Sequence, residues 1–168
     1  MKKIMPFLTV LLLLTGCSYL SVGHLERNLF QLNQNEQLDM RYWNFEYKTT
    51  VENGKYTVAG RALPKMKAVP GWGEWLHDFW LSVYLSDKQG TVLASDLEIY
   101  PTMELDADNG VEFSFTMEPD QMPVSKETYL TFGYRMSLTE GRYQSPDTDS
   151  PLTTRKSVFF ASEGALAR

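Results

Sequence analysis

Apolar and polar side chains alternate with a period of two over long stretches of this chain. The clearest stretches cover residues 111–117 and 130–138. Because successive side chains of a β-strand point to opposite faces, this pattern predicts strands with one buried face. The side chains expected in the core are Val111, Phe113, Phe115, Met117, Leu130, Phe132, Tyr134, Met136 and Leu138. Those expected outside include Glu112, Thr116, Thr131, Arg135 and Ser137.

A β-hairpin is predicted over residues 43–62. Two alternating segments flank Asn53-Gly54, a dipeptide that favours the positive φ angles of a two-residue type I′ turn. Such a turn sets the register of both strands. The predicted pairs are Val51 with Tyr56, Thr49 with Val58, Phe45 with Ala62 and Glu52 with Lys55.

Further strands are predicted near residues 79–85, 92–100 and 157–161, and Leu93, Leu97 and Ile99 share one side of theirs. The total is seven short strands with turn-rich connections, which is typical of a two-sheet sandwich. The chain is therefore expected to be all-β. We expect a sandwich domain at 39–161 after a tether at 17–38 that can include a short helix, and a flexible tail at 162–168.

The first 16 residues have the layout of a secretory signal peptide. Lys2 and Lys3 precede an apolar run that ends at Leu14, shorter than the roughly 20 residues of a membrane-spanning helix. The tetrapeptide Leu14-Thr15-Gly16-Cys17 resembles the lipobox of bacterial lipoproteins. The resemblance implies cleavage before Cys17 and lipidation of its thiol, with palmitate among the acyl chains. The alternative is an ordinary secretory signal with a chance cysteine.

Cys17 is the only cysteine in the chain, so an intramolecular disulfide is impossible. Lipidation would explain an unpaired thiol on an exported protein. Two acyl chains are sufficient for stable membrane anchoring. Ser18 follows the cysteine, whereas aspartate at that position resembles the inner-membrane retention signal of enteric bacteria. In a cell with two membranes we therefore expect the outer membrane, with the domain in the periplasm or outside the cell.

The net charge of the chain argues against binding to nucleic acid and against electrostatic docking on anionic lipids. Residues 1–16 contain two lysines and no acid, so the remaining 14 basic and 21 acidic residues give −7, against −5 for the whole chain. A surplus of acid repels phosphate groups.

A second resemblance concerns the segments 56–60 and 83–93. Tyr56-Thr57-Val58-Ala59-Gly60 and Val83-Tyr84-Leu85-Ser86-Asp87, with the turn that follows, are similar to bacterial extracytoplasmic domains of the FxLYD type. Val83 and Ser86 stand where the family name has Phe and Tyr. The resemblance implies an immunoglobulin-like sandwich on an exported protein, with no assigned chemistry.

The sequence offers no catalytic or metal-binding constellation. Its two histidines lie apart, His24 in the tether and His77 in a loop, and a zinc site of nitrogen and sulfur ligands needs three or four such residues together. Asp106-Ala107-Asp108-Asn109-Gly110 departs from a calcium loop, because Gly110 occupies the fifth position and Met117 the twelfth. We interpret it as a turn before Val111. We therefore expect neither an enzyme nor a cofactor.

The unusual segment is 69–80, where Trp72, Trp75 and Trp80 lie within nine residues. Pro70 and Gly71 interrupt any strand there. The candidate contact surface consists of Trp72, Glu74, Trp75, His77 and Asp78 on a loop between two strands. Alternatively, Trp72 and Trp75 plug the open end of the sandwich. Trp80 is expected on an exposed outer face.

The sequence is compatible with two functions. The first is a membrane-anchored, non-catalytic module that binds or assembles with another envelope protein, since large aromatic residues are enriched at interfaces. The second is a lipoprotein that binds a glycan or another small ligand through the Trp72 and Trp75 loop.

Overall fold

The computed structural model describes residues 20–118, 127–142, 156–162 and 164–165. These residues form strands joined by turns and loops, with no helix among them. The strands are β1 (Leu20–Ser21), β2 (Asn28–Leu29), β3 (Asn35–Asp39), β4 (Trp43–Glu52), β5 (Lys55–Pro64), β6 (Trp75–Ser86), β7 (Val92–Tyr100), β8 (Met103–Glu104), β9 (Val111–Met117), β10 (Tyr129–Thr139), β11 (Lys156–Ala161) and β12 (Gly164–Ala165). The all-β prediction is confirmed.

The strands form two main antiparallel sheets. Sheet one has the order β11-β10-β6-β7, with β2 also pairing with β10 and β8 also pairing with β6. Sheet two has the order β3-β4-β5-β9. A short third ladder joins β1 to β12. Each of the seven predicted segments contains a strand, but the described residues hold twelve strands rather than seven.

The β4–β5 hairpin has the predicted register. Asn53 and Gly54 both adopt positive φ angles, 51° and 78°, as a type I′ turn requires. Glu52 pairs with Lys55, and the ladder continues to Trp43 opposite Pro64. All four predicted pairs are present.

Aromatic rings fill the space between the two sheets. Trp43 of sheet two stacks on Phe79 of sheet one with ring centroids 5.1 Å apart, and Phe45 stacks on Phe132 at 4.2 Å. All four side chains are fully buried. Burying each contributes roughly 1.5–3 kcal/mol, and the aromatic pairing adds about 0.5–1.5 kcal/mol per pair. The two sheets therefore share one core, as in a sandwich.

The alternation in β9 and β10 places the core residues as predicted. Phe113, Phe115, Phe132 and Tyr134 are buried, whereas Glu112, Thr116 and Arg135 are exposed. Thr131 and Ser137 lie on the outer face of β10, as predicted, but they are buried there rather than exposed. The Thr131 hydroxyl donates to the Glu26 carbonyl, because the N-terminal segment crosses this part of the sheet.

The N-terminal segment belongs to the folded domain and is not a tether in the part described. β3 pairs with β4 along its full length, and Val22 is completely buried. Arg27 donates to the Asp87 carbonyl at 3.0 Å. The segments are too short for a periodic signal, so the sequence pattern did not reveal them. Likewise β12 lies in the predicted tail and pairs with β1.

The two ends of the sandwich are distinct. The hairpin end carries the β4–β5 turn, the β6–β7 turn and the start of β10, since Tyr129 pairs with Ser86. The tryptophan end carries the 65–74 loop between β5 and β6, which contains Trp72, and the end of β10 at Thr139.

Candidate functional site

The predicted tryptophan surface does not lie on one loop. Strand β6 already begins at Trp75, so Trp75, His77 and Asp78 belong to a sheet, and only Trp72 and Glu74 remain on the preceding loop. The Glu74 amide donates to the Thr139 carbonyl at 3.0 Å, which continues the pairing with β10 back to the loop. Pro70 and Gly71 interrupt the chain earlier, as expected, but they do not prevent a strand from starting four residues later.

A β-bulge at Asp78 changes which side chains of β6 face the core. Asp78 has a φ of 47°, and the register with β10 shifts between Arg135 and Ser137. Leu76 and Phe79 are therefore both buried in the core although they are three residues apart. A bulge inserts one extra residue and re-aims its neighbours. The alternation that starts at Phe79 could not reveal this shift upstream.

His77 is not available as a contact residue, because only 7% of it is exposed. Its Nε2 lies 3.4 Å from the Gly141 carbonyl, and its Nδ1 lies 3.1 Å from Thr102 Oγ1. With Nε2 donating to the carbonyl, Nδ1 accepts from the threonine hydroxyl. Ser137 is its register partner on β10 and is also buried. His77 and its polar neighbours therefore have a structural role on the outer face of sheet one.

Trp72 and Trp75 each make contacts within the protein that cover part of the side chain. Trp72 is half-buried and packs against the core, as the plug alternative requires. Trp75 is half-buried, and the Arg142 guanidinium lies 5.7 Å from the centre of its ring. Glu74 and Asp78 are exposed, and Asp78 Oδ2 lies 4.0 Å from Lys156 Nζ. These side chains do not form one open platform.

A surface that the sequence pattern did not predict lies on the outer face of sheet one. Phe160, Arg135, Trp80 and Ile99 are successive register partners across four neighbouring strands. Phe160 is 73% exposed, Ile99 63% and Trp80 40%. The exposure of Trp80 confirms its predicted place. We call this row, together with the exposed Leu97 and Val158, the outer strip.

The apolar side chains of β7 face solvent because the polar side chains on its other face bind sheet two. Asp96 and Glu98 point toward sheet two, where Asp96 Oδ2 accepts the Thr116 amide at 2.9 Å. Glu98 Oε1 accepts the Ser114 amide at 3.4 Å. The polar alternates of β7 are thus bound to the free edge of β9, and its apolar alternates Leu97 and Ile99 face solvent. The predicted grouping of these apolar residues is correct, but the side they occupy is the exposed one.

A groove of about 460 Å³ runs along the outer strip. Its lining includes Trp80, Ser82, Tyr84, Leu97, Arg135 and Phe160. Gly133 opposes Ser82, and the Tyr84 ring packs closely against it. A β-carbon at Gly133 would come within 2.7 Å of Tyr84 Cε2, so this position requires glycine while Tyr84 keeps its place.

A positively charged side chain, Arg135, lies at the centre of the groove. The Arg135 guanidinium lies 5.5 Å from the centre of the Trp80 ring, within the range of a cation–π contact. Such a contact holds the guanidinium flat and leaves its donors free to meet an acceptor of a partner. The outer strip therefore combines apolar side chains with one oriented positive charge.

The Asp106 loop is a turn, as expected from the sequence. Asp106 Oδ1 accepts the amides of Asn109 at 2.9 Å and Asp108 at 2.8 Å. These bonds from Asn109 and Asp108 hold the pKa of Asp106 below its usual value. Gly110 follows with a φ of 64° and the chain enters β9. Among the described residues, no three or more His, Cys, Asp or Glu side chains are grouped to hold a metal.

No protein-family model, no curated protein and no solved structure matches the chain. Within the described ranges there is no helix long and apolar enough to cross a membrane. Cys17 and the rest of the predicted signal lie outside the described residues.

Proposed function

We propose that this chain is a membrane-anchored envelope lipoprotein whose folded part is a non-catalytic, protein-binding or assembly module. The observation that carries the binding role is the outer strip. Two of its apolar side chains, Phe160 and Ile99, are more than half exposed on the face of a regular sheet. A sheet face that meets only water ordinarily carries polar residues at such positions. Contiguous exposed apolar surface marks an interaction site.

The composition of the strip favours a protein partner. Tryptophan and arginine are enriched among the residues that dominate interface affinity. Trp80 and Arg135 lie together at the centre of the row, and Phe160 and Ile99 flank them. An apolar side chain of the partner would enter the groove beside Trp80, and a carbonyl or carboxylate of the partner would meet Arg135.

The proposed anchor is a lipid on Cys17, in the outer membrane of a cell with two membranes. The lipobox-like Leu14-Thr15-Gly16-Cys17, the single cysteine and the following Ser18 support it. The excess of acid in the rest of the chain supports an anchor that does not depend on charge. The folded part would then face the periplasm or the cell exterior.

We also infer that the sandwich is immunoglobulin-like, with a core of seven strands. In support, β4-β5-β9 and β11-β10-β6-β7 follow the orders A-B-E and G-F-C-C′ of that fold. β3 would be an addition before the first strand. The resemblance of segments 56–60 and 83–93 to FxLYD domains is in line with this assignment.

A second candidate function is binding of a glycan or another small ligand. The groove favours it, because about 460 Å³ lies within the usual 300–1,000 Å³ of small-molecule sites. The rings of Trp80 and Phe160 at its border could stack on a sugar. In this second proposal the ligand would bind on the outer strip, away from Trp72 and Trp75.

The test compares lipidated protein with Phe160→Ser and Ile99→Ser variants, purified from membranes in mild detergent. Met66→Ser, an exposed apolar residue near the tryptophan end, is the matched control. We expect one co-purifying protein with wild type and the control, bound at least tenfold more weakly by both strip variants. Binding that all three variants preserve would refute the protein-binding role of the strip. Strip-dependent binding of a glycan alone, on a glycan array, would establish the second function.

A further inference from the structure

Nine of the eleven exposed large apolar residues of the described chain fall into two groups. One is the outer strip. The other lies at the hairpin end and consists of Leu20, Leu29, Leu32 and Val51. Met66 lies on the loop at the opposite end, and Leu93 lies near the start of β7. The hairpin-end group has no role in the proposed partner surface.

Several contacts place this second group at one end of the sandwich. Leu29 pairs with Tyr129 at the start of β10, and Val51 pairs with Tyr56 beside the β4–β5 turn. Leu32 directly precedes Asn33, whose amide donates to the Thr49 carbonyl at 2.8 Å. The group therefore comes from the N-terminal segment and from the turn region of sheet two.

The same end holds the start of the described chain. Ser21 forms a bridge with Thr91 just after the β6–β7 turn, and the Val22 amide donates to the Gly90 carbonyl at 2.8 Å. Val22 is fully buried, so this part of the chain is fixed to the domain. Leu20, directly before this attachment, is 50% exposed.

The distance from Leu20 to the proposed lipid is short. Only Ser18 and Tyr19 separate Leu20 from Cys17. Three Cα steps reach at most about 11 Å even when fully extended. A lipid on Cys17 would therefore keep Leu20, and with it the hairpin end, within about 11 Å of the lipidated residue at the membrane surface.

Two lysines at this end are paired with acids. Lys55 forms an ion pair with Glu118, and Lys88 Nζ lies 3.3 Å from Glu127 Oε1. Paired charges neither attract nor repel an anionic lipid surface strongly. Contact with the bilayer at this end would depend on apolar side chains.

We propose that the hairpin end is seated on the bilayer, with Leu20, Leu29, Leu32 and Val51 entering the interface between headgroups and acyl chains. The partner is the lipid surface itself, and the inference rests on the proposed lipidation of Cys17. The concave groove of the outer strip does not fit a flat bilayer, whereas exposed side chains at one end of the sandwich do. In this orientation the outer strip stays open to a protein partner, and the tryptophan end points away from the membrane.

Fluorescent labelling of single cysteines tests the seating. An acylated Cys17 has no free thiol, so an introduced cysteine is the only reactive one. Lipidated Val51→Cys and Leu32→Cys variants carry an environment-sensitive fluorophore in liposomes of phosphatidylethanolamine and phosphatidylglycerol. Met66→Cys and Ile99→Cys are the matched controls for the far end and the outer strip. Nitroxide-labelled lipids then quench any probe that reaches the bilayer.

We expect the probes at residues 51 and 32 to show blue-shifted emission and quenching by the labelled lipids. The probes at residues 66 and 99 should show neither effect. The quenching should be the same in 0.5 M salt, because it does not depend on charge. Equal quenching at all four positions, quenching at 99 alone, or loss of quenching in high salt would overturn the proposal. Flotation of the liposomes separates it from the proposed function. Protein that fails to float refutes the anchor and the seating together. Protein that floats with unquenched probes at 51 and 32 refutes the seating alone.

Discussion

The backbone amide of Thr116 donates a 2.9 Å hydrogen bond to the carboxylate of Asp96, and so joins the free edge of sheet two to the outermost strand of sheet one. Glu98 accepts the Ser114 amide in the same way and also accepts the Tyr100 hydroxyl, whose oxygen lies 3.1 Å from the Glu112 carbonyl oxygen. An open strand edge is a template for pairing with another chain. The side chains of β7 therefore protect β9 while its leucines and isoleucine face outward.

Replacing Asp96 and Glu98 together with alanine should expose this edge. We expect a loss of about 1–3 kcal/mol in the free energy of unfolding, since two amides lose their acceptors. We also expect concentration-dependent self-association. Urea denaturation and light scattering measure the two effects. Glu112→Ala, which removes a mostly exposed acid of β9 and leaves the edge bonds intact, should do neither. Identical behaviour of both variants would contradict the edge-protection account.

The core assignment of β9 predicts unequal costs at neighbouring positions. Phe115 is fully buried and contacts Phe113 at a centroid distance of 5.4 Å, so Phe115→Ala should cost about 3–5 kcal/mol. Thr116 is exposed and keeps its backbone bond when its side chain is shortened, so Thr116→Ala should stay within about 0.5 kcal/mol. Chemical denaturation gives both values. Similar costs would mean that the strand is in the other register.

The sequence predicted the register of neighbouring strands better than it predicted which face of a strand is buried. The β4–β5 register follows from a two-residue turn, because Asn53-Gly54 leaves one possible alignment of the two strands. Alternation likewise groups Leu97 with Ile99, but a period of two does not tell which group faces the core. That choice depends on Asp96 binding β9, a contact between residues 20 positions apart. The outer strip could not be predicted for the same reason.

The candidate contact residues were misplaced because of one backbone feature. The bulge at Asp78 puts His77 on the outer face, where it is buried against Thr102 and Gly141. Aspartate tolerates positive φ better than most residues, yet it rarely marks a bulge. No periodic signal precedes it. Only the exposure of Trp80, on the regular side of the bulge, followed from the alternation.

Alkaline pH should destabilise the domain through buried tyrosines. Burial raises the pKa of Tyr47 to about 12 and that of Tyr134 to about 12. An unfolded tyrosine loses its proton near pH 10, whereas these two keep theirs until about pH 12. The stabilisation is therefore complete below pH 10 and is lost as pH rises toward 12, at about 1.4 kcal/mol per pH unit for each tyrosine. Urea denaturation between pH 9 and 11.5 should show this slope.

Tyr134→Phe supplies the control for the alkaline effect, because it keeps the ring and removes the titrating hydroxyl. The slope of stability against pH should become shallower by about 1.4 kcal/mol per unit. An unchanged slope would show that Tyr134 does not resist ionisation in the folded state.

The packing of Trp72 predicts that it acts mainly as a plug. Trp72→Ala should lower the free energy of unfolding by about 2 kcal/mol or more, since a fully buried tryptophan costs about 3–5 kcal/mol. Trp75→Ala should cost about 1 kcal/mol, mostly through the contact with Arg142. Thermal denaturation of both variants decides this. An unchanged melting temperature at both positions would restore the tryptophan loop as a contact surface.

Site-specific photo-cross-linking in living cells tests the central claim most directly. Benzoyl-phenylalanine would replace Phe160 or Ile99 on the outer strip, and Lys48 on the exposed face of sheet two as the control. We predict one membrane-associated protein cross-linked at both strip positions, absent at residue 48, and lost when Trp80→Ser is added. Lipid adducts only, or the same products at all three positions, would contradict a lipid-anchored module that binds its partner through the outer strip.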